Sequence, residues 1–273
     1  MKHEIKLLAA SALLVASSAA NAGIIDLFTT DQAELVDSIA IDGGAADGGV
    51  SSSVTTVGTD IVGGARDIFV ELLDNGGFNG RDATIGVGGG VLDFSVDTLA
   101  SGMGIVQWDG NDGSIGLDVD ALGGGLGGLD FTESGTLNAF ALDVLFADAG
   151  FNFVVEVYTD DDTWTKASLL SFSVASPATR NLFFSDFGNC GLVDIPSGIL
   201  NIECGVGGAA DFTNVGALQV MIDPLGGSTS IDLTLDNITT VPEPSVLALM
   251  GTGLLAGGFA ARTRRNKKVN VTA

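Results

Sequence analysis

Chemistry at neutral pH leans on a few side-chain types, and this chain supplies them unevenly. Its one histidine is His3, and 34 aspartates and glutamates stand against 11 lysines and arginines in 273 residues. With no imidazole beyond position 3, the usual general base, the histidine-dependent serine and cysteine triads and most zinc sites are absent. Two carboxylates could still cleave a glycosidic bond. Acids this abundant put some pair together in any fold, however, so no pair stands out. The residues predict a protein that is not an enzyme, with a secreted glycan hydrolase or lyase as the reading held against it.

Three other groups of residues could bind or bond. Hard cations take oxygen ligands, and Asp109-Gly-Asn-Asp-Gly113 opens like a calcium loop, making Asp109, Asn111 and Asp112 candidate ligands for a structural calcium ion. The full EF-hand pattern fails, because its fifth position is Gly113 and its terminal glutamate is missing. Sugar binding needs aromatic rings as stacking platforms. Trp108, beside Asp109, and Trp164, just after the turn at Asp160-Asp-Asp162, are the candidates, and packing at the edge of a sheet is the alternative for each. Cys190 and Cys204 are the only two cysteines and flank a turn at Pro196-Ser-Gly198, so a disulfide between them is expected in an oxidising compartment. Gly123, Gly125 and Gly128 have a G-x-G-x-x-G spacing, but strand and turn residues follow instead of a helix. That segment and Gly86 to Gly90 are expected to be loops.

These residues need a scaffold, and the pattern between them is one of strands. Phe151, Phe153, Val155 and Val157 fall on one face of a period-two run. Asn138, Phe140, Leu142, Val144 and Phe146 do the same, as do Ile231, Leu233 and Leu235. With 40 glycines and 5 prolines, many tight turns and bulges are expected. The expected fold is all-β, an antiparallel β-sandwich of jelly-roll type.

The two ends of the chain differ from this middle. Lys2 and Lys6, the apolar run Leu7 to Val15 and the small residues Ala20 and Ala22 have the layout of a signal peptide over residues 1–22, cut before Gly23 by signal peptidase. At the other end, Val241-Pro-Glu-Pro-Ser245 precedes an uncharged stretch, residues 246–261, and a basic tail, residues 262–268. As a helix that stretch would be about 24 Å long, short of a hydrocarbon core but able to span it with local thinning. The basic tail belongs on the cytoplasmic side. Pro242 and Pro244 keep the segment before the helix extended and accessible. A plain membrane anchor on a proline-stiffened stalk is the simpler alternative.

Val241, Pro242, Glu243 and Pro244, the short glycine-containing apolar helix, and Arg262, Arg264 and Arg265 together resemble the PEP-CTERM sorting signal of Gram-negative bacteria. The resemblance spans residues 241–268. It implies recognition by an exosortase, removal of the tail, and delivery to the cell surface or an exopolysaccharide-rich matrix such as a biofilm. Within the body, Ile61-Val-Gly-Gly-Ala-Arg-Asp-Ile68, Val106-Gln-Trp-Asp-Gly110 and Leu235-Asp-Asn-Ile-Thr239 resemble ectodomains of that group. These are sandwiches similar to carbohydrate-binding modules.

The body, residues 23–240, holds only Arg66, Arg81, Lys166 and Arg180 as cations and carries a formal charge of −28. Such a surface repels nucleic acid. The expectation is an exported, non-enzymatic surface or matrix protein whose partners are signal peptidase, exosortase and exopolysaccharide, and which touches the membrane through its C-terminal helix until processed. A structural coat or adhesin with no specific ligand is the alternative.

Overall fold

Alternation of apolar and polar residues gives a strand two unlike faces, and the apolar faces are buried only when sheets stack. A computed structural model describes residues 23–38, 48–56, 59–111, 113–119, 125–148, 150–170, 176–195 and 198–242. The chain divides into two units, Met1–Val241 and Pro242–Ala273. Of the second only Pro242 is described, so the expected helix at 246–261 lies outside the described residues, as does the expected signal peptide at 1–22. Among the described residues no helix is long and apolar enough to cross a membrane.

Met1–Val241 contains a two-sheet antiparallel β-sandwich of jelly-roll type. Its strands are β1 (Gly23–Asp26), β2 (Gln32–Asp37), β3 (Val50–Thr55), β4 (Ala65–Asp74), β5 (Ala83–Gly88), β6 (Val91–Val96), β7 (Ser101–Trp108) and β8 (Ala139–Ala147). They continue with β9 (Asn152–Tyr158), β10 (Trp164–Leu170), β11 (Ala178–Phe183), β12 (Val193–Ile195), β13 (Ile199–Cys204), β14 (Ala217–Ile222) and β15 (Asp232–Val241). One sheet has the order β11-β8-β15-β6-β5-β2, with β1 also paired to β15. The other has the order β12-β13-β10-β9-β14-β7-β4-β3.

The core lies between the sheets. Ile68, Val106, Val220, Val155, Ala167 and Ile202, one from each of six neighbouring strands, face Phe94, Phe140, Leu233 and Leu235 of the other sheet within one apolar cluster. A single turn of helix, α1 (Phe184–Phe187), caps it, with Phe184 stacked on Phe212 at 4.1 Å. Phe151, Phe153, Val155 and Val157 all point inward as their spacing predicts.

Two expectations need correction. Phe146 is 41 % exposed while Ala147 is buried. Thr234 pairs with Phe146 but Leu235 pairs with Val144, so Leu145 is the extra residue of a bulge and the side-chain alternation slips there. Gly86 and Gly88 belong to β5, and only Gly89 and Gly90 form the turn into β6, both with positive φ. A two-glycine hairpin turn meets that requirement without a Cβ clash.

A buried ion pair ties the sheets together. Arg66 of β4 gives Nη1 to both oxygens of Asp26 in β1 at 3.0 Å, and both side chains are fully buried. Asp26 also accepts from Trp108 Nε1 at 2.9 Å and the Phe28 amide at 2.8 Å. Arg66 Nε reaches Gln32 at 2.9 Å and Nη2 the Thr30 carbonyl at 2.7 Å. Burial pushes the Asp26 carboxyl up, and the charge of Arg66 and the donors of Trp108 and Phe28 pull it back.

Candidate functional site

On the second sheet, the face turned away from the core carries polar residues in register. Ser53 pairs with Asp67 and Asp67 with Gln107. Gln107 pairs with Gln219 and Gln219 with Glu156. Glu156 pairs with Lys166 and Lys166 with Glu203. The row thus crosses seven strands. Side chains directly opposite in an antiparallel pair lie close enough to bond laterally. Gln107 Nε2 donates to Gln219 Oε1, and Gln219 Nε2 donates to Glu156 Oε2 at 2.8 Å. Tyr158 OH donates to the same oxygen at 2.8 Å, and Lys166 Nζ stands 3.4 Å from Glu156 Oε1. Burial, then the charge of Glu156 and the hydrogen bond to it, push the Tyr158 phenol well above its ordinary value.

The row becomes accessible toward β13. Asp67, Gln107, Glu156 and Gln219 are buried, whereas the Lys166 side chain is 29 % exposed and Glu203 is exposed. At that end Asn201 Nδ2 donates to Glu203 Oε1 at 2.8 Å. Beside them Trp164 is half-buried and tilts against Tyr158, its direct cross-strand partner, with ring centroids 6.2 Å apart. The β9–β10 turn holds this pair in place, since Asp160 Oδ1 accepts the amides of Asp162 at 3.0 Å and Thr163 at 2.7 Å.

A shallow cavity of about 660 Å³ opens here, lined by Trp164, Asn201, Glu203, the two cysteines and Gly205 to Gly208. Cys190 and Cys204 form the expected disulfide. Gly205 has to be glycine. A Cβ there would overlap the Asp162 carbonyl oxygen and come within 2.7 Å of Trp164 Cδ1. The site therefore offers an indole edge, a bare glycine backbone and amide and carboxylate groups around one opening.

The predicted site residues are dispersed. Trp164 lines the cavity, but Trp108 is fully buried with its indole N–H on Asp26, so it has no face left for a sugar. Its polar handle is satisfied in the core, which is the alternative fate anticipated for it. Asp109 is buried and its Oδ2 accepts the Asp118 amide at 2.8 Å, which anchors the loop leaving β7. Asn111 is exposed, and Asp112 lies outside the described residues. Among the described residues no three acidic, cysteine or histidine side chains form a cluster able to hold a metal ion. Gly23 begins β1 and Val241 ends β15, while Ala20, Ala22, Glu243, Pro244, Arg262, Arg264 and Arg265 lie outside the described residues. The lateral row escaped sequence reasoning because period-two patterning reveals faces and not neighbours.

Comparison with known proteins bears on the end of the chain and on its architecture. Residues 240–265 match the family described as the PEP-CTERM protein-sorting motif. The chain thus carries the sorting motif of an exported protein directed to the cell envelope or surface. No curated protein matches the chain. Among solved structures, it is similar to the family 11 carbohydrate-binding module of the cellulosomal cellulase Lic26A-Cel5E of Clostridium thermocellum. Identity is 13 %, coverage 82 % of this chain and 96 % of that one, and the TM-score 0.37. The structure described as PfGH50B matches at 9 % identity and TM-score 0.37 over 60 % of this chain, which spans only 22 % of that protein. An exo-β-agarase matches at 10 % identity and TM-score 0.36, over 81 % of this chain and 25 % of its own.

Proposed function

We propose that this is an exported, non-catalytic protein of the cell surface or extracellular matrix, sorted by an exosortase, whose body binds polysaccharide at the Trp164 end of the polar row. The observation that carries the reading is the cavity itself. A half-buried tryptophan, backed by Tyr158, stands beside the side chains of Asn201 and Glu203, which a hydrogen bond between them already orders. Sugars present both a CH face, which stacks on an indole, and hydroxyls, which exchange hydrogen bonds with amides and carboxylates. A body charge of −28 favours an uncharged glycan, or an acidic one bridged by divalent cations. Calcium at the loop of Asp109, Asn111 and Asp112 is the intramolecular counterpart of such bridging.

The test is affinity electrophoresis of the surface-released protein through gels cast with the host's polysaccharides, with and without calcium. Retardation that Trp164→Ala removes supports the reading. Free migration in both conditions favours a structural coat or adhesin. Reducing-end release by the purified protein would instead make it a glycan hydrolase or lyase. Sorting is tested separately: deleting the exosortase gene should hold the protein in the envelope with its tail intact, and unchanged release would sink that part.

A further inference from the structure

The first residue of the predicted mature chain and the first residues of the sorting motif are neighbours. Gly23 pairs with Thr240 and Ile24 with Thr239, in antiparallel register. The motif begins at 240, inside β15. Along one side of β15 runs β8, which pairs with it from Leu233 to Val241. Along the other runs β6, which pairs only as far as Leu235, after which β1 takes over. The last three paired residues on that side therefore depend on β1.

Gly23 itself sits in a fitted place. A Cβ on it would overlap Thr240 Oγ1 and would lie 3.2 Å from Leu137 Cδ1 and 3.5 Å from Glu133 Oε1. The Glu133 carboxylate is thus no farther than about 6 Å from the Gly23 nitrogen. It has no hydrogen-bond or ion-pair partner among the described residues. Its turn is unusual: Glu133 and Ser134 both have positive φ, at 45° and 59°, a conformation that costs non-glycine residues energy. Asp130 holds the turn by accepting from the Thr132 amide at 2.8 Å, the Thr132 hydroxyl at 2.6 Å and the Ser134 amide at 2.9 Å.

We propose that this turn is a dock for the processed N-terminus. Resting on the export reading above, signal peptidase hydrolyses the Ala22–Gly23 bond. Water supplies the hydroxyl that leaves as the Ala22 carboxylate, and Gly23 keeps its nitrogen as a free ammonium. That ammonium pairs with Glu133 and adds a charged contact to the existing pairing of β1 with the end of β15. Removal of the leader thereby reinforces the sheet edge from which the sorting motif emerges, so that the first cut steadies the strand that leads to the second.

Hydrogen–deuterium exchange on the exported protein tests this, with intact mass measured first. A chain that does not start at Gly23 overturns the proposal through the processing reading alone. With Gly23 confirmed as the start, Glu133→Gln should speed exchange across 23–26 and 238–241 about two- to fivefold, the range of an exposed ion pair. The same substitution should change nothing in protein whose α-amino group has been acetylated, because the charge is already gone. Unchanged exchange in the unmodified protein overturns the dock. An equal change in both forms also overturns it, since Glu133 would then only shape its turn.

Discussion

Replacing Asp26 with asparagine tests whether the sheets are joined by charge or by shape. The substitution keeps the volume but only one acceptor oxygen, so it can serve the Phe28 amide, which bonds Oδ1, or Trp108 Nε1, which bonds Oδ2, but not both. It also removes the one counter-charge that a fully buried guanidinium has among the described residues. Breaking such a pair on one side costs about 3–5 kcal/mol. At a urea dependence of about 2 kcal/mol per molar, the unfolding midpoint should fall by about 2 M. Asp26→Asn combined with Arg66→Met then becomes informative. It leaves no buried charge, and beyond the one donor that asparagine already fails to serve, the loss comes from Gln32 and the Thr30 carbonyl, whose bonds to Arg66 disappear. Those two further orphaned neutral groups cost about 2–3 kcal/mol, less than the stranded guanidinium of the single change. The double variant should therefore be more stable than Asp26→Asn alone, with a coupling of at least about 1 kcal/mol. Arg66→Met alone adds a pH signature. Burial already raises the Asp26 carboxyl, and losing Arg66 raises it further. A carboxyl raised by folding stabilises below its unfolded pKa and loses that contribution as pH climbs through the folded one. The variant should thus be less impaired at pH 5 than at pH 8. Equilibrium urea denaturation followed by tryptophan fluorescence measures all four proteins. A double variant as unstable as the sum of the singles would refute the reasoning.

Two more predictions follow from the site. Reducing the Cys190–Cys204 bond, which closes a span of 14 residues, should cost about 3 kcal/mol and lower the melting temperature by about 10 °C, with weaker polysaccharide retardation because the bond lines the Trp164 cavity. A calorimetric shift below about 2 °C on reduction would count against it. Tyr158 is the only tyrosine, so absorbance near 295 nm reports it alone. The folded protein should show no tyrosinate at pH 10, Glu156→Gln should bring ionisation to lower pH, and stability should decline from about pH 10 upward as the unfolded phenol ionises first.

Much of the architecture was legible because it is local. The run from Phe151 to Val157 declares a strand by its own residues, and Asp160 to Asp162 declare the turn that sets Tyr158 opposite Trp164. The cysteine pair could be read from a turn between two short strands. What stayed hidden depends on register between distant segments. Gln107 and Gln219 are 112 residues apart, and nothing in either strand names the other as its partner. Trp108 looked like a surface ring because Asp109 follows it. It is buried because a carboxylate 82 residues upstream accepts its N–H. The slip at Leu145 likewise arises from the mismatch between two strands, a property neither has alone. Gly23 and Thr240 are the extreme case, being neighbours that only a closed sheet brings together.

The position of β15 also decides how the body would bear load. It is flanked by β8 along one side and by β6 and β1 along the other, and the tail leaves directly from its last residue. A pull applied at Val241 runs along the strand, so the bonds on both sides are sheared together. A tail leaving from an edge strand such as β11 would be peeled off one bond at a time. A body held by that end therefore meets the force with a strand paired along both of its sides.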